Sequence, residues 1–356
     1  MEKRLLFLKS RVMSPVPWCL VLCLLVFWGC TSQKEWEKIE IAGKRQKHMV
    51  APKKVLLVHS YHKEYEWVAG ITRGVRRALG GHNVDLQLFY MDAKRRNGEP
   101  WRYQAGAMAK EVVAQWRPDV VIAADDDAQQ YFARDFAGAS WPLVVFCGVS
   151  EPPESYGYPA KNITGILERP HFAASLSLLR RIVPGVRRIA VMTDNSATSR
   201  GALEYMKNET AGFDIISWSQ PGTLEQWRQQ VQVAGKAADA LAVYMYHTVG
   251  QRGTAQNVEP RQLMSWTVAN ARVPVVGFFT FAMDDGALCG MVESGAEHGY
   301  EAGQISLQVL AGKKPADFPV KTAKYAISML NLETAKKLGI NIPHDIKESV
   351  DIVTGE

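Results

Sequence analysis

The sequence predicts an α/β protein built on parallel, doubly wound sheets, and three observations carry that expectation. Short apolar runs rich in β-branched residues recur from residue 55 onward, each suited to a strand covered on both faces. Amphipathic stretches at helical spacing stand between them, so strand and helix alternate. The alternation then begins a second time, in a chain of 356 residues that is long enough for two domains.

The first strand is VLLV, residues 55–58, followed by the loop His59–Trp67 and a helix over 67–79, where Val68, Ile71, Val75 and Leu79 share one face. In open α/β sheets ligands bind beyond the carboxyl ends of the strands, so this loop is placed at the mouth of a site. A strand over 83–90, a helix over 103–116, a strand over 119–124 and a helix over 128–136 follow. The strand 143–147 (LVVFC) leads into a stretch rich in proline and glycine. The second set begins after NITGI, residues 162–166. It has a helix over 172–183, a strand over 188–192, the polar loop 194–201, a helix over 202–207 and a strand over 213–218. A helix over 224–237 and strands over 240–246 and 273–279 flank a helix over 261–271. In the tail, strands over 287–292 and 325–330 alternate with helices over 300–310 and 332–338, as in a chain that crosses between two lobes several times.

The N-terminus has a basic start and an apolar core over 16–28, too short for a comfortable membrane span. A small residue before Cys30 directly after that core resembles a bacterial lipoprotein cleavage site, although Phe27 and Trp28 depart from the usual pattern. We expect residues 1–30 to be a signal peptide with Cys30 as the lipidated residue, and residues 31–52 to be a polar tether. The remainder is then exported to the periplasm. Much of the formal charge of +6 lies in the first 54 residues, so it does not argue for a nucleic-acid partner. Cys147 and Cys289 adjoin apolar runs, where a buried free thiol is the usual state.

The stretches HSYHKEYEWVAGITRG, RPDVVIAADDDAQQY, VVFCGV, GYPAKNITGI, VPVVGFF with DDGALCG, and AGKKPADFPV with LNLETAKKLGI together resemble ABC transporter substrate-binding proteins of the type-1 periplasmic binding fold. The resemblance covers residues 53 to about 351. It implies two Rossmann-like lobes joined by a multi-strand hinge, with a ligand held in the cleft between them. We expect lobe 1 to comprise residues 53–160 and 286–320, and lobe 2 residues 161–285 and 321–356. It also implies an ABC permease as partner, a monomeric binding protein with no cofactor, and no catalysis. Some relatives in this fold are sensory, so signalling to a membrane kinase or chemoreceptor is the alternative, and a secreted hydrolase the second.

The candidate ligand contacts lie in loops after strands. Ser60, Tyr61 and His62 follow the first strand, whereas Tyr65 and Trp67 read as packing residues of the helix. His59 and His62 are spaced as two metal ligands, but two histidines without a third ligand serve more often as hydrogen-bonding groups, and no metal is expected. Asp126 and Asp127 of the triad 125–127 are candidates to hold an ammonium or hydroxyl, while one carboxylate caps the helix. Cys147 and Gly148 close the fourth strand. Asn195, Ser196 and Thr198 open a helix and suit a carboxylate. Tyr246, His247, Phe281 and Asp284 follow strands of the second set. The expected ligand is small and polar or amphoteric, like an amino acid. G-x-S-x-G, H-E-x-x-H and phosphate-loop signatures do not occur.

Overall fold

Strand β1 (Lys53–His59) carries Val55, Leu56, Leu57 and Val58 with no exposed surface, as a run apolar on both faces requires. In the computed structural model, which describes residues 51–355 except 252 and 255, it is an inner strand of the first of two sheets, one place from its edge. The helix α1 (Glu66–Leu79) follows, then β2 (Val84–Tyr90), α2 (Glu99–Trp116), β3 (Val120–Ala124), α3 (Asp125–Tyr131), β4 (Leu143–Val149) and β5 (Ile163–Leu167). Leu57 stands opposite Leu88 on one side and Ile122 on the other, and both pairings are parallel. The second set is α4 (Phe172–Ile182), β6 (Arg188–Met192), α5 (Ala197–Met206), β7 (Asp214–Ser219), α6 (Leu224–Ala237), β8 (Ala240–Val243), α7 (Pro260–Ala271), β9 (Val275–Gly277), α8 (Thr280–Asp284) and β10 (Cys289–Glu293). The tail adds α9 (Gly295–Leu310), β11 (Lys321–Thr322), β12 (Ala326–Asn331), α10 (Leu332–Lys337), α11 (His344–Ser349) and β13 (Ile352–Thr354).

The strand orders are β11-β5-β4-β3-β1-β2 in one sheet and β13-β12-β10-β9-β8-β6-β7 in the other. The chain therefore passes between sheets three times: at residues 168–171, at Ser294, and at residues 323–325. This corrects the expected lobe boundaries. β5 belongs to the first sheet, because Val144 and Val145 of β4 pair with Ile163 and Thr164, so residues 161–167 fall in lobe 1. β10 belongs to the second, paired with β9 and β12, so residues 286–293 fall in lobe 2. The short β11 returns to β5. The second sheet is not wholly parallel, since β12 runs antiparallel to β10. The signal, tether and Cys30 lie outside the described residues, and among those no helix is long and apolar enough to cross a membrane.

α9 lies along α1 with the two backbones nearly touching. A Cβ on Gly74 would fall 2.0 Å from the Ala296 carbonyl oxygen, and one on Gly299 would fall 2.1 Å from that of Ile71. Two of the helix starts that differ from expectation bear on the site. α3 begins at Asp125, with all three aspartates in its first turn, where carboxylates complement the positive helix end. α5 begins at Ala197, with Ser196 as N-cap accepting from the Ser199 amide. Cys147 and Cys289 are buried free thiols.

Candidate ligand-binding cleft

The carboxyl ends of β1, β3 and β4 and the loop after β2 face those of β6, β8 and β9, and the side chains there meet directly. The Tyr61 hydroxyl and Thr198 Oγ1 are 3.1 Å apart, and Thr198 Oγ1 donates to Asp126 Oδ2 at 3.3 Å. Asn97 Nδ2 donates to Asn257 Oδ1 at 3.2 Å, and Asn257 Nδ2 donates to the Lys94 carbonyl at 2.9 Å. Aromatic rings line the same junction. Tyr65 lies 4.9 Å from His247 and 5.7 Å from Phe281, and Trp67 meets Phe279 edge-on at 5.5 Å. A small cavity of about 10 Å³ lies among them, walled by Tyr61, Trp67, Asp125, Glu168, Thr198 and Phe279.

The charges in this wall are buried. Asp125 is 2% exposed and adopts φ +67, a left-handed conformation that aspartate tolerates better than most residues. Its Oδ1 accepts from the Trp67 indole at 2.7 Å, whereas Oδ2 has no hydrogen-bond partner. Burial pushes this carboxyl well above its usual range, against the Trp67 hydrogen bond. Glu168 accepts from the Tyr244 hydroxyl at 2.6 Å, and burial, reinforced by Glu293, pushes it up to about 8. Lys94, 4% exposed, places its ammonium 4.2 Å from the Tyr61 ring centre and 5.3 Å from that of Tyr65. Burial lowers its pKa, while Asp194 and Asp125 act the other way. Asp194 would be raised by its own burial, but Lys94 and the hydroxyls of Ser199 and Ser196 hold it below the ordinary value.

The candidates from the sequence divide. Tyr61, Thr198, His247 and Phe281 are in the junction. His62, half-buried at its edge, has Nδ1 3.7 Å from Asp92 and stacks on Tyr65. Gly148 sits against the Asp125–Trp67 pair, where a Cβ would fall 2.8 Å from Asp125 Oδ1. The Cys147 thiol is fully buried, and its pKa is raised by burial and then by Asp125. Others are engaged elsewhere. Ser60 donates to the Ala124 carbonyl and accepts from the Ala128 amide, joining β1 to α3. Asp126 accepts from the Ser150 and Glu151 amides and the Tyr156 hydroxyl as well as from Thr198, so both its oxygens are occupied. Asp127 stands 3.5 Å from Arg102 Nε. Ser196 caps α5, Asn195 and Asp284 are exposed, and Tyr246 donates to Asp285 at 2.7 Å. His59 stacks on Tyr90 and bonds Thr72, away from His62.

Sequence reasoning missed Lys94, Asp125, Glu168, Trp67 and Tyr65 as wall residues. Lys94 and Glu168 follow β2 and β5, so the same strand-end rule points to both, although the loop of Glu168 was expected in the second lobe.

Residues 55–353 match the family described as ABC transporter substrate binding protein. The chain belongs to that family. This substrate-binding protein is 22% identical over 207 residues to the tyrosine-binding protein of Clostridioides difficile (strain R20291), a match covering 55% of this chain and 56% of that one. The chain thus spans about half the length of that curated relative. Its fold is similar to the ABC domain in complex with L-Trp from Streptococcus pneumonia, with TM-score 0.65 and 20% identity over 85% of this chain and 100% of that one. The ligand-free, open structure of a substrate binding protein with adhesive properties from Clostridium difficile gives TM-score 0.63 and 18% identity, again over 85% and 100%. Such likenesses establish the substrate-binding protein's two-lobed, type-1 periplasmic binding architecture.

Proposed function

We propose that this protein captures an aromatic α-amino acid between its lobes and hands it to an ABC permease. The observation that carries the reading is a cation and two carboxyls, all buried, set among aromatic rings where the lobes meet: Lys94 against Asp125 and Glu168. An amphoteric ligand supplies the partner that Asp125 Oδ2 lacks. Its ammonium meets the free Asp125 Oδ2 and Glu168, its carboxylate meets Lys94 and the Thr198 hydroxyl, and its ring lies against Trp67, Phe279 and Phe281. The relatives named for tyrosine and for L-Trp support the same class. Ligand binding would favour the arrangement in which both lobes touch it. Export with Cys30 as lipid anchor, action as a monomer and the absence of catalysis belong to this reading.

Calorimetry tests it directly. Tyrosine, tryptophan or phenylalanine should bind the full-length protein. Tyramine, which lacks the carboxylate, and 3-(4-hydroxyphenyl)propionate, which lacks the ammonium, should each bind about ten- to a hundredfold more weakly, the effect of one charge-assisted contact. Absence of binding by all three amino acids overturns the proposal.

A further inference from the structure

Asp125 is tied at one carboxyl oxygen and open at the other. It is the first residue of α3, and the Trp67 indole N–H of α1 donates to its Oδ1 at 2.7 Å. Oδ2 has no partner, and the residue walls the small cavity where the lobes meet. An untied aspartate rotates broadly about its last side-chain torsion, so a bond to Oδ1 also decides where Oδ2 points. Gly148 of β4 closes the third side. A Cβ there would fall 2.8 Å from Asp125 Oδ1 and 3.4 Å from Trp67 Cζ2, and its φ of +67 favours glycine. The indole is itself held in place. A Cβ on Gly295 of α9 would fall 2.7 Å from the Trp67 carbonyl oxygen, so that helix lies directly on its backbone. The His298 ring lies 5.3 Å from the indole, and Phe279 of the second lobe meets it edge-on at 5.5 Å.

We propose that Trp67 is a positioning residue whose indole N–H aims Asp125 at the ligand's ammonium, so that the preference for an amino acid over its des-amino analogue passes through this bond. The inference rests on the aromatic amino-acid reading above. Among the described residues the indole is the only hydrogen-bond donor to the Asp125 side chain. The bond also favours the charged form. Burial pushes the carboxyl well above its usual range, and of the influences acting the other way the indole bond is larger than that of Lys94. Without the N–H the carboxyl turns freely and holds its proton more firmly. A turned, protonated carboxyl forms no charge-assisted bond with an ammonium. The ring of Trp67 and its N–H therefore have separate duties, the first toward the ligand's ring and the second toward Asp125.

Trp67→Phe keeps a flat ring and removes the donor, which separates the two duties. The readout is the ratio of tyrosine affinity to 3-(4-hydroxyphenyl)propionate affinity, measured by calorimetry on the full-length protein. Altered ring packing weakens both ligands, whereas a misdirected Asp125 weakens only the one with an ammonium. The ratio should be about ten- to a hundredfold in the unaltered protein and fall to within about threefold in Trp67→Phe. Gly148→Ala presses on the same carboxyl oxygen with Trp67 intact and should lower the ratio too; it decides the matter if Trp67→Phe does not fold. In Asp125→Asn, adding Trp67→Phe should change the ratio by less than about twofold, because the two residues act as one unit. A ratio near one in the unaltered protein overturns the inference and needs no variant. A ratio that persists in folded Trp67→Phe, or one that this substitution lowers as much beside Asn as beside Asp, overturns it as well. If no aromatic amino acid binds, the amino-acid reading fails and the positioning role with it; if tyrosine binds and the ratio persists, only the positioning role falls.

Discussion

Three consecutive aspartates end in three different situations, and the difference lies in which oxygens are already bonded. Asp126 has four donors on its two oxygens, from Ser150, Glu151, Tyr156 and Thr198, whereas Asp125 has one donor and one vacant oxygen beside the small cavity. Asn accommodates the left-handed conformation of position 125 and can still accept from Trp67. Asp125→Asn should therefore weaken ligand binding about ten- to a hundredfold with little change in thermal stability. Asp126→Asn should lower stability by about 1–3 kcal/mol, because an amide cannot accept at both positions. Titration calorimetry and thermal melts on the two variants check this, and the reverse pattern would refute it. The sequence displayed the triad but not this division. On sequence grounds Asp126 and Asp127 are the candidates, one as the ligand contact and the other as the cap of the helix. The left-handed backbone at Asp125 instead points its side chain toward Trp67 and Gly148. No local pattern announces that turn of the chain.

At the scale of elements, most strands and helices were legible because their apolar periods are strong. β6 and α6 have the expected bounds, and β1 extends its predicted core by only a few residues. The failures have physical causes. α9 starts at Gly295, five residues before the expected start, because its first turns carry glycines that count against a helix by propensity. Those glycines are there for packing: Gly70 and Gly74 on α1, and Gly295, Gly299 and Gly303 on α9, recur every fourth residue and let the two helices close on one another. That spacing was visible in the sequence and is a signal for close helix approach. Gly74→Ala inserts a methyl group 2.0 Å from a carbonyl oxygen and should cost about 1–3 kcal/mol, as overpacking does. Denaturant unfolding measures it; a change below about 0.5 kcal/mol would mean that the helices separate freely. Lobe membership of β5 and β10 was not legible, since an apolar run does not reveal which sheet it joins.

At the scale of the molecule, two acids sit at the crossings between lobes. Glu168 opens the first crossing and Glu293 precedes the second, and burial pushes each up to about 8. In the unfolded chain a glutamate titrates near its ordinary value of about 4.5. Below that pH both states hold the proton; as pH rises toward 8 the unfolded chain releases it while the folded chain does not, so folded stability falls. His59 and His247, lowered to about 3 by burial, give the opposite slope below their ordinary 6.5. The window from pH 6.5 to 8 therefore isolates the acids. Thermal melts across it should show a decline for the parent protein and a shallower one for Glu168→Gln; identical slopes would remove Glu168 from the account. The hydrogen bonds from Tyr61 to Thr198 to Asp126, and between Asn97 and Asn257, bear on a different matter. They are made entirely between protein groups, each contributing about 0.5–1.5 kcal/mol, so the lobes are held together partly by bonds that owe nothing to the cargo. On the proposed function, capture is paced by how often the two halves part, and at high solute concentration its rate reaches a ceiling that belongs to the protein and not to diffusion.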